Sequence, residues 1–121
     1  MHVFDESREM YLETILVLAM ESDFVRSVDV ANKLNYSKPS VSRAVKNLLS
    51  EGAITVGDNG HIQLTKEGLT EAKAIYEKHK ILTQIFIEVL KLDPELAEKD
   101  ACRVEHVISD ETFEAFKKLL K

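Results

Sequence analysis

The chain has 121 residues, which is enough for one compact core but too short for two large independent ones. Hydrophobic residues make up 45% and charged residues 31%, the balance of a globular protein, and no apolar run approaches the ~20 residues of a membrane helix. The single cysteine excludes an internal disulfide, and the acidic start of the chain has no apolar signal core, so we expect a cytoplasmic protein.

The formal net charge of −5 argues weakly against nucleic acid as a partner, but the charge is unevenly distributed. Residues 24–50 carry one acid and five bases, a balance of +4 that leaves −9 for the rest of the chain; the bases are Arg26, Lys33, Lys38, Arg43 and Lys46. A basic segment on an acidic body is typical of a small DNA-binding module joined to a separate regulatory half.

Three helices are predicted in the first half. The first covers SREMYLETILVLAMES (residues 7–22), with Ser7 as its cap. The second has Ser27 as its cap, ends near Asn35, and buries Val28, Val30, Ala31 and Leu34.

The third helix lies in SKPSVSRAVKNLLSEG (residues 37–52), with Ser37 as cap, Pro39 in the first turn and Gly52 at the end. Its predicted inner stripe is Val41, Ala44, Val45, Leu48 and Leu49. Two short helices, the second with a small, polar and basic outer face, are typical of a helix-turn-helix.

A β-hairpin follows, because Ile54 and Val56 alternate with polar residues, Asp58-Asn59-Gly60 forms a turn, and the pattern returns through residues 62 and 64. Helix-turn-helix and hairpin together predict a winged helix, with His61 on or near the wing.

The second half is predicted to be helical. Thr65 caps a long helix, Asp93 and Pro94 start another that runs towards Val107, and Ser109 starts the last. The predicted fold is therefore mostly α: a winged helix-turn-helix (three helices plus a β-hairpin wing) in residues 1–64 and an all-helical dimerisation and metal-binding domain in residues 65–121. Surplus apolar surface predicts a homodimer interface, of which internal packing must use part, at Phe86, Ile87, Val89, Leu90, Phe113, Phe116, Leu119 and Leu120.

The segment DACRVEHVIS (residues 100–109) carries the chemistry. On a helix running to Val107, Cys102, Glu105 and His106 lie within reach of one point, and thiolate, carboxylate and imidazole are common ligands of first-row metals. The alternative is an exposed helix face with a small packed cysteine, and for this motif alone that alternative is favoured.

Two further features bear on the metal hypothesis. Met10 and Glu13 place a thioether and a carboxylate on one face of the first helix, and His79 lies where the long helix turns apolar. Each also has an ordinary interpretation, Met10 as a core residue and His79 as a surface residue in a charged run.

Five segments then carry a resemblance: EMYLETI, SKPSVSRAVKNL, GHIQLTKEG, EKHKIL and ACRVEHVISDE. In order and spacing the chain resembles the diphtheria-toxin-repressor/manganese-transport-regulator family of metal-activated transcriptional repressors, from Glu9 to about Glu111. The CxxEHxxS segment is the most specific part of this likeness.

The resemblance implies roles for particular residues. Met10, Cys102, Glu105 and His106 occupy ligand positions of the main site of the iron-responsive type. Glu13 matches a carboxylate ligand of the manganese-responsive type, and His79 a histidine that both types use.

Two positions depart from the iron-responsive pattern. Thr83 stands where its second site has a carboxylate, and Glu98 stands in place of a histidine as a substitute ligand. The thioether and thiol favour Fe(II), Co(II) or Ni(II), whereas the additional carboxylates favour Mn(II). We expect Fe(II) or Mn(II), with a preference for Fe(II).

The resemblance also implies a recognition-helix surface, on which Ser37, Pro39 and Ser40 contact thymine methyl groups and Arg43 reaches a guanine. The full set of candidate DNA-contacting residues is Ser37, Lys38, Pro39, Ser40, Ser42, Arg43, Lys46 and Asn47.

The predicted function is a metal-activated repressor of metal-homeostasis genes that binds double-stranded operator DNA as a homodimer. An ion held by ligands from both halves would fix one relative orientation of the two recognition helices. One alternative is a winged-helix regulator switched by a non-metal ligand, and another is a winged-helix protein-interaction module. An enzyme is not expected, because the donors lack a separate base and oxyanion site around a pocket.

Overall fold

The computed structural model describes the backbone of residues 3–120 and the side chains of residues 7–120. In this range the helices are α1 (Val3–Glu21), α2 (Ser27–Leu34), α3 (Lys38–Glu51), α4 (Lys66–Glu88), α5 (Pro94–Val104) and α6 (Asp110–Lys117). Strands β1 (Ile54–Val56) and β2 (Ile62–Leu64) lie between α3 and α4. This order confirms the predicted mostly α fold, a winged helix-turn-helix followed by a helical half. Among the helices of the described range, none has the length and apolar character needed to cross a bilayer.

The chain divides into two compact units, one covering Ser7–Lys73 and the other containing the chain from Ala74 onwards. The division falls inside α4, so the first two turns of this helix belong with the winged helix. The predicted domain boundary between residues 64 and 65 lies at the start of α4 and stays a prediction.

Several of the predicted boundary residues of the helices in the helix-turn-helix are confirmed. Ser37 accepts a hydrogen bond from the Ser40 N–H at 3.3 Å, and Pro39 lies in the first turn of α3. Asn35 and Gly52 adopt left-handed conformations, with φ of 60° and 81°, where α2 and α3 end. The predicted cap of α3 and the predicted ends of α2 and α3 are therefore correct.

Two predicted caps are wrong. α1 begins at Val3, so Ser7 lies inside the helix. Ser27 is the first residue of α2 and not its cap, because the Asp29 carboxylate accepts from the Arg26 N–H at 2.8 Å and fixes the start at Arg26.

Two residues assigned to inner stripes are instead exposed, Val28 by 40% and Leu49 by 45%. α2 and α3 bury narrower stripes than their apolar patterns indicate, consisting of Val30, Ala31, Val41, Val45 and Leu48.

The wing is the predicted hairpin. Its strands pair antiparallel, with Ile54 opposite Leu64 and Val56 opposite Ile62. The Ile62 N–H donates to the carbonyl of Val25 at 2.8 Å, so the segment before α2 lies along the outer edge of β2. His61 stacks on the ring of Phe24, with centroids 4.4 Å apart, as expected for a residue at the wing.

The start of α4 lies very close to the hairpin. The Thr65 hydroxyl caps the helix by accepting from the Gly68 N–H at 3.1 Å. The Thr65 N–H and hydroxyl both donate to the carbonyl oxygen of Ala53 at 3.0 Å. Gly68 is required there, because a Cβ at this position would overlap the backbone of Ala53.

The second unit has its own core of Leu82, Ile85, Phe86, Ala97, Ala101 and Phe113. Phe86 and Phe113 are each 7% exposed, so they serve this core and not the surface assigned to them. Of the residues predicted for a homodimer surface, Val89, Leu90 and Leu119 are exposed by 40%, 52% and 50%.

Candidate metal centre and recognition helix

The three candidate donors of the CxxEH motif lie where α5 ends. The helix stops at Val104, so Cys102 is in its last turn, whereas Glu105 and His106 occupy the turn that follows. The prediction of a helix to Val107 is wrong: residues 105–107 form a turn in which the Val107 N–H donates to the Val104 carbonyl at 3.0 Å, and the chain is extended at Ser109, the cap of α6. Val107 is 62% exposed.

This turn brings the three side chains together. Single donor atoms of Cys102, Glu105 and His106 lie within 4.8 Å of one another. Glu105 is 1% exposed, and only 3% of the His106 side chain is accessible. The alternative in which Glu105 and His106 face solvent is therefore wrong.

Glu105 is a buried carboxylate between two imidazoles. Its Oε1 lies 2.8 Å from His79 Nδ1, and its Oε2 lies 3.1 Å from His106 Nε2. The hydrogen bond with Glu105 raises the pKa of His79, and burial opposes this rise without cancelling it. A buried carboxylate needs an adjacent positive charge or strong donors, and here a protonated imidazole or a bound cation can fulfil this role.

His79 also lies near Glu98, with 3.8 Å between His79 Nε2 and Glu98 Oε2. The Glu98 side chain is 70% exposed, so it stands at the solvent side of the cluster. Thr83 donates its hydroxyl to the His79 carbonyl at 2.7 Å, a local bond within α4 that leaves no carboxylate at this position.

The candidate donors Met10 and Glu13 are on α1, in the unit formed by Ser7–Lys73. Met10 is half-buried, and its sulfur accepts a hydrogen bond from the Tyr36 hydroxyl at 3.4 Å. Glu13 is 9% exposed. Their roles as ligands stay predictions.

The chemistry of the donors near residue 105 fits a divalent first-row metal. A thiol, a carboxylate and an imidazole are close enough to share one ion, and Glu105 supplies a negative charge that is already withdrawn from water.

The predicted DNA-contacting surface is accessible on α3 and at its N-terminus. Ser40 is half-buried, and the other seven residues of the set are exposed: Ser37, Lys38, Pro39, Ser42, Arg43, Lys46 and Asn47. Arg43 donates to the Ser40 hydroxyl at 3.4 Å, which holds its guanidinium along the outer face of α3.

Sequence reasoning missed two features of these sites. The pairing of His79 with Glu105 joins residues 26 positions apart, and no local spacing indicates it. Tyr36 was also missed as a candidate functional residue, although it stands immediately before the Ser37 cap in the sequence.

Comparisons with known proteins agree with both halves of this description. A family model for the iron-dependent repressor N-terminal DNA-binding domain matches residues 4–62, and a model for the iron-dependent repressor metal-binding and dimerisation domain matches residues 65–121. The diphtheria toxin repressor of Corynebacterium diphtheriae is 34% identical over 116 residues, which cover 96% of this chain and 51% of that protein. This chain therefore spans about half the length of that relative.

Two further proteins are similar over most of this chain. An uncharacterised HTH-type transcriptional regulator of Methanocaldococcus jannaschii is 34% identical over 113 residues, covering 93% of this chain and 90% of the relative. The solved structure of the manganese regulator SloR superposes with a TM-score of 0.81 at 29% identity, covering 93% of this chain and 53% of that one. A relative of matching length and the two family models lead to one conclusion: the chain belongs to the iron-dependent repressor family.

Proposed function

We propose that this chain is a metal-activated transcriptional repressor that binds double-stranded operator DNA as a homodimer. The activating ion is Fe(II) or Mn(II), the regulated genes serve metal-ion homeostasis, and the protein acts in the cytoplasm. The observation that carries the proposal is the buried Glu105 carboxylate with Cys102 and His106 around it, in the half of the chain that matches a metal-binding domain.

Each side chain of this cluster has a defined part. A bound divalent ion supplies positive charge and a crosslink between ligands. Cys102 must lose its proton to bind, and His106 must be neutral. Glu105 brings the negative charge, and His79, itself a candidate ligand, holds the Glu105 carboxylate in place through the 2.8 Å hydrogen bond.

The choice of metal is proposed from donor softness. Cys102, and Met10 if it is a ligand, favour Fe(II), Co(II) or Ni(II), whereas Glu13 and Glu98 favour Mn(II). The exposed position of Glu98 makes it the weakest of these candidates, and we retain the preference for Fe(II).

The proposed DNA contact is supported by the exposed polar and basic face of α3. In a symmetric dimer the two α3 helices would enter successive major grooves, about 34 Å apart. Val89, Leu90 and Leu119 offer exposed apolar surface for such a dimer.

The test is anaerobic binding to promoter DNA of metal-uptake genes, measured by fluorescence anisotropy with chelator and then with Fe(II) or Mn(II). We expect binding only with metal, and its loss in the Glu105→Ala, His106→Ala double variant. Glu114→Ala, an exposed carboxylate on α6, is the matched control and should behave as the wild type.

The other outcomes separate the alternatives. Equal binding with and without metal would favour a winged-helix regulator switched by another ligand. Absence of binding to any such promoter under all conditions would favour a protein-interaction module. Met10→Leu and Glu13→Gln in the same titration test the two candidate ligands on α1.

A further inference from the structure

Tyr36 occupies the turn of the helix-turn-helix. Its backbone N–H donates to the carbonyl of Ala31 at 3.1 Å, which closes the end of α2. The next residue, Ser37, caps α3, and the preceding Asn35 is in the left-handed conformation. The backbone of Tyr36 is therefore fixed on both sides, and its side chain has a defined origin at the start of the recognition helix.

The side chain of Tyr36 points to α1. Its hydroxyl donates to the sulfur of Met10 at 3.4 Å. Its ring meets the ring of Tyr11 edge to face, with centroids 6.0 Å apart and an interplanar angle of 67°. Tyr11 is 7% exposed and belongs to the core, so it is a rigid support for the ring of Tyr36.

This contact constrains an adaptable side chain. Methionine has three rotatable bonds and a soft sulfur that accepts hydrogen bonds only weakly, and Met10 is half-buried. Tyr36 is 44% exposed, but one side of its ring rests on Tyr11, so the hydrogen bond from its hydroxyl favours one arrangement of the thioether. A ligand that is already ordered loses less conformational entropy when it binds a metal.

We propose that Tyr36 is a positioning residue for Met10: its hydroxyl holds the thioether ready for a soft metal and ties that ligand to the turn that begins the recognition helix. This inference rests on the proposed function, because Met10 is a ligand only if the chain is metal-activated. It assigns a specific partner to Met10 within the helix-turn-helix.

The test is a double-mutant cycle of Tyr36→Phe and Met10→Leu. Phenylalanine keeps the ring against Tyr11 and removes only the hydroxyl, and leucine replaces methionine at nearly constant volume. Co(II) and Mn(II) affinities are measured by competition with a chromophoric chelator.

We expect Tyr36→Phe to weaken Co(II) binding by about tenfold, the lower end for loss of a residue that orients a ligand. The effect on Mn(II), which has little preference for a thioether, should be much smaller. In the Met10→Leu background, Tyr36→Phe should have no further effect.

A second readout needs no metal. With ¹³C-methyl methionine, the Met10 signal is identified by its absence in Met10→Leu. In Tyr36→Phe it should move towards the shift of Met20, which is 56% exposed. An unmoved Met10 signal would overturn the proposal.

Other results would also overturn the proposed role of Tyr36. Equal losses for Co(II) and Mn(II), or a loss that persists without Met10, would show a merely structural role and overturn it. If Met10→Leu leaves Co(II) binding intact while Glu105→Ala, His106→Ala abolishes it, the Tyr36 proposal is wrong and the proposed function stands. If the wild type binds neither ion, both are wrong.

Discussion

Substitution of Gly68 by alanine places two physical effects in opposition. Gly68 lies in the first turn of α4, and alanine is normally the better helix former by about 1 kcal/mol. In this fold an added Cβ would overlap the carbonyl group of Ala53, which is backbone and cannot rotate away. The first turn of α4 would have to move from the hairpin, so we expect the steric effect to decide the sign.

The magnitude follows from what this movement disturbs. Overfilling a packed contact typically costs about 1–3 kcal/mol. The displacement also strains the two 3.0 Å hydrogen bonds from Thr65 to the Ala53 carbonyl, and a typical hydrogen bond contributes about 1 kcal/mol net. With the gain in helix propensity subtracted, Gly68→Ala should lower the free energy of unfolding by about 2 kcal/mol.

The assay is urea unfolding followed by far-ultraviolet circular dichroism, with chelator present. Gly57→Ala is the matched control: its φ is −89°, and the nearest atom to an added Cβ is the His61 carbonyl oxygen at 3.9 Å. The control should be neutral or more stable by up to about 1 kcal/mol. A Gly68→Ala protein at least as stable as the wild type would refute the close packing of α4 on the hairpin.

Three further predictions concern the recognition helix, the buried carboxylate and a helix cap. Arg43→Ala should weaken operator binding by about 1–3 kcal/mol, roughly 5- to 150-fold in anisotropy titrations. Lys73→Ala, which removes an exposed base on α4, is the control and should change the affinity little. Equal losses for the two variants would contradict a base-reading role for Arg43. Because the hydrogen bond with Glu105 raises the pKa of His79, the stability from this pair should be complete below the pKa of histidine in the unfolded chain. That stability should be lost as pH rises through the raised pKa of His79 in the folded protein. Urea unfolding of chelator-treated protein, measured over a pH series, should show this trend in the wild type and not in His79→Gln. Asp93→Ala removes the carboxylate that accepts from two first-turn N–H groups of α5, so it should cost about 1 kcal/mol in thermal or urea unfolding, and Asp93→Asn should retain most of that stability.

The parts of the fold that the sequence predicted correctly depend on local chemistry. Ser37 and Ser109 cap helices because a hydroxyl beside a free N–H needs no distant partner, and Asn35 ends α2 because it tolerates a left-handed backbone. Asn59 and Gly60 both have positive φ in the hairpin turn for the same kind of reason.

The failures depend on the rest of the molecule. Val28 and Leu49 fit helical stripes, yet which apolar residues are covered depends on neighbouring elements that periodicity does not specify. α5 stops at Val104 and passes through a turn before the cap of α6, although the apolar pattern of the sequence continues to Val107.

In the candidate metal site, too, some features were predicted from the sequence and others are seen only in the structure. The spacing of the CxxEH motif and the family resemblance identified Cys102, Glu105 and His106 without a structure. The burial of Glu105 and its hydrogen bond to His79 could not be predicted from the sequence, because both depend on how α4 packs against the turn after α5.

The turn that carries Glu105 and His106 also leads directly into the cap of α6. Only two residues separate His106 from Ser109, and the chain just beyond α6 carries Leu119 of the proposed dimer surface. The ligand turn and the start of α6 are therefore three backbone steps apart, and coupling between them is reciprocal: a dimer contact that favoured the ligand geometry would be favoured by the metal in turn. For the proposed homodimer this has a quantitative consequence: metal affinity should rise with protein concentration, so the abundance of the regulator would itself set the metal level to which it responds.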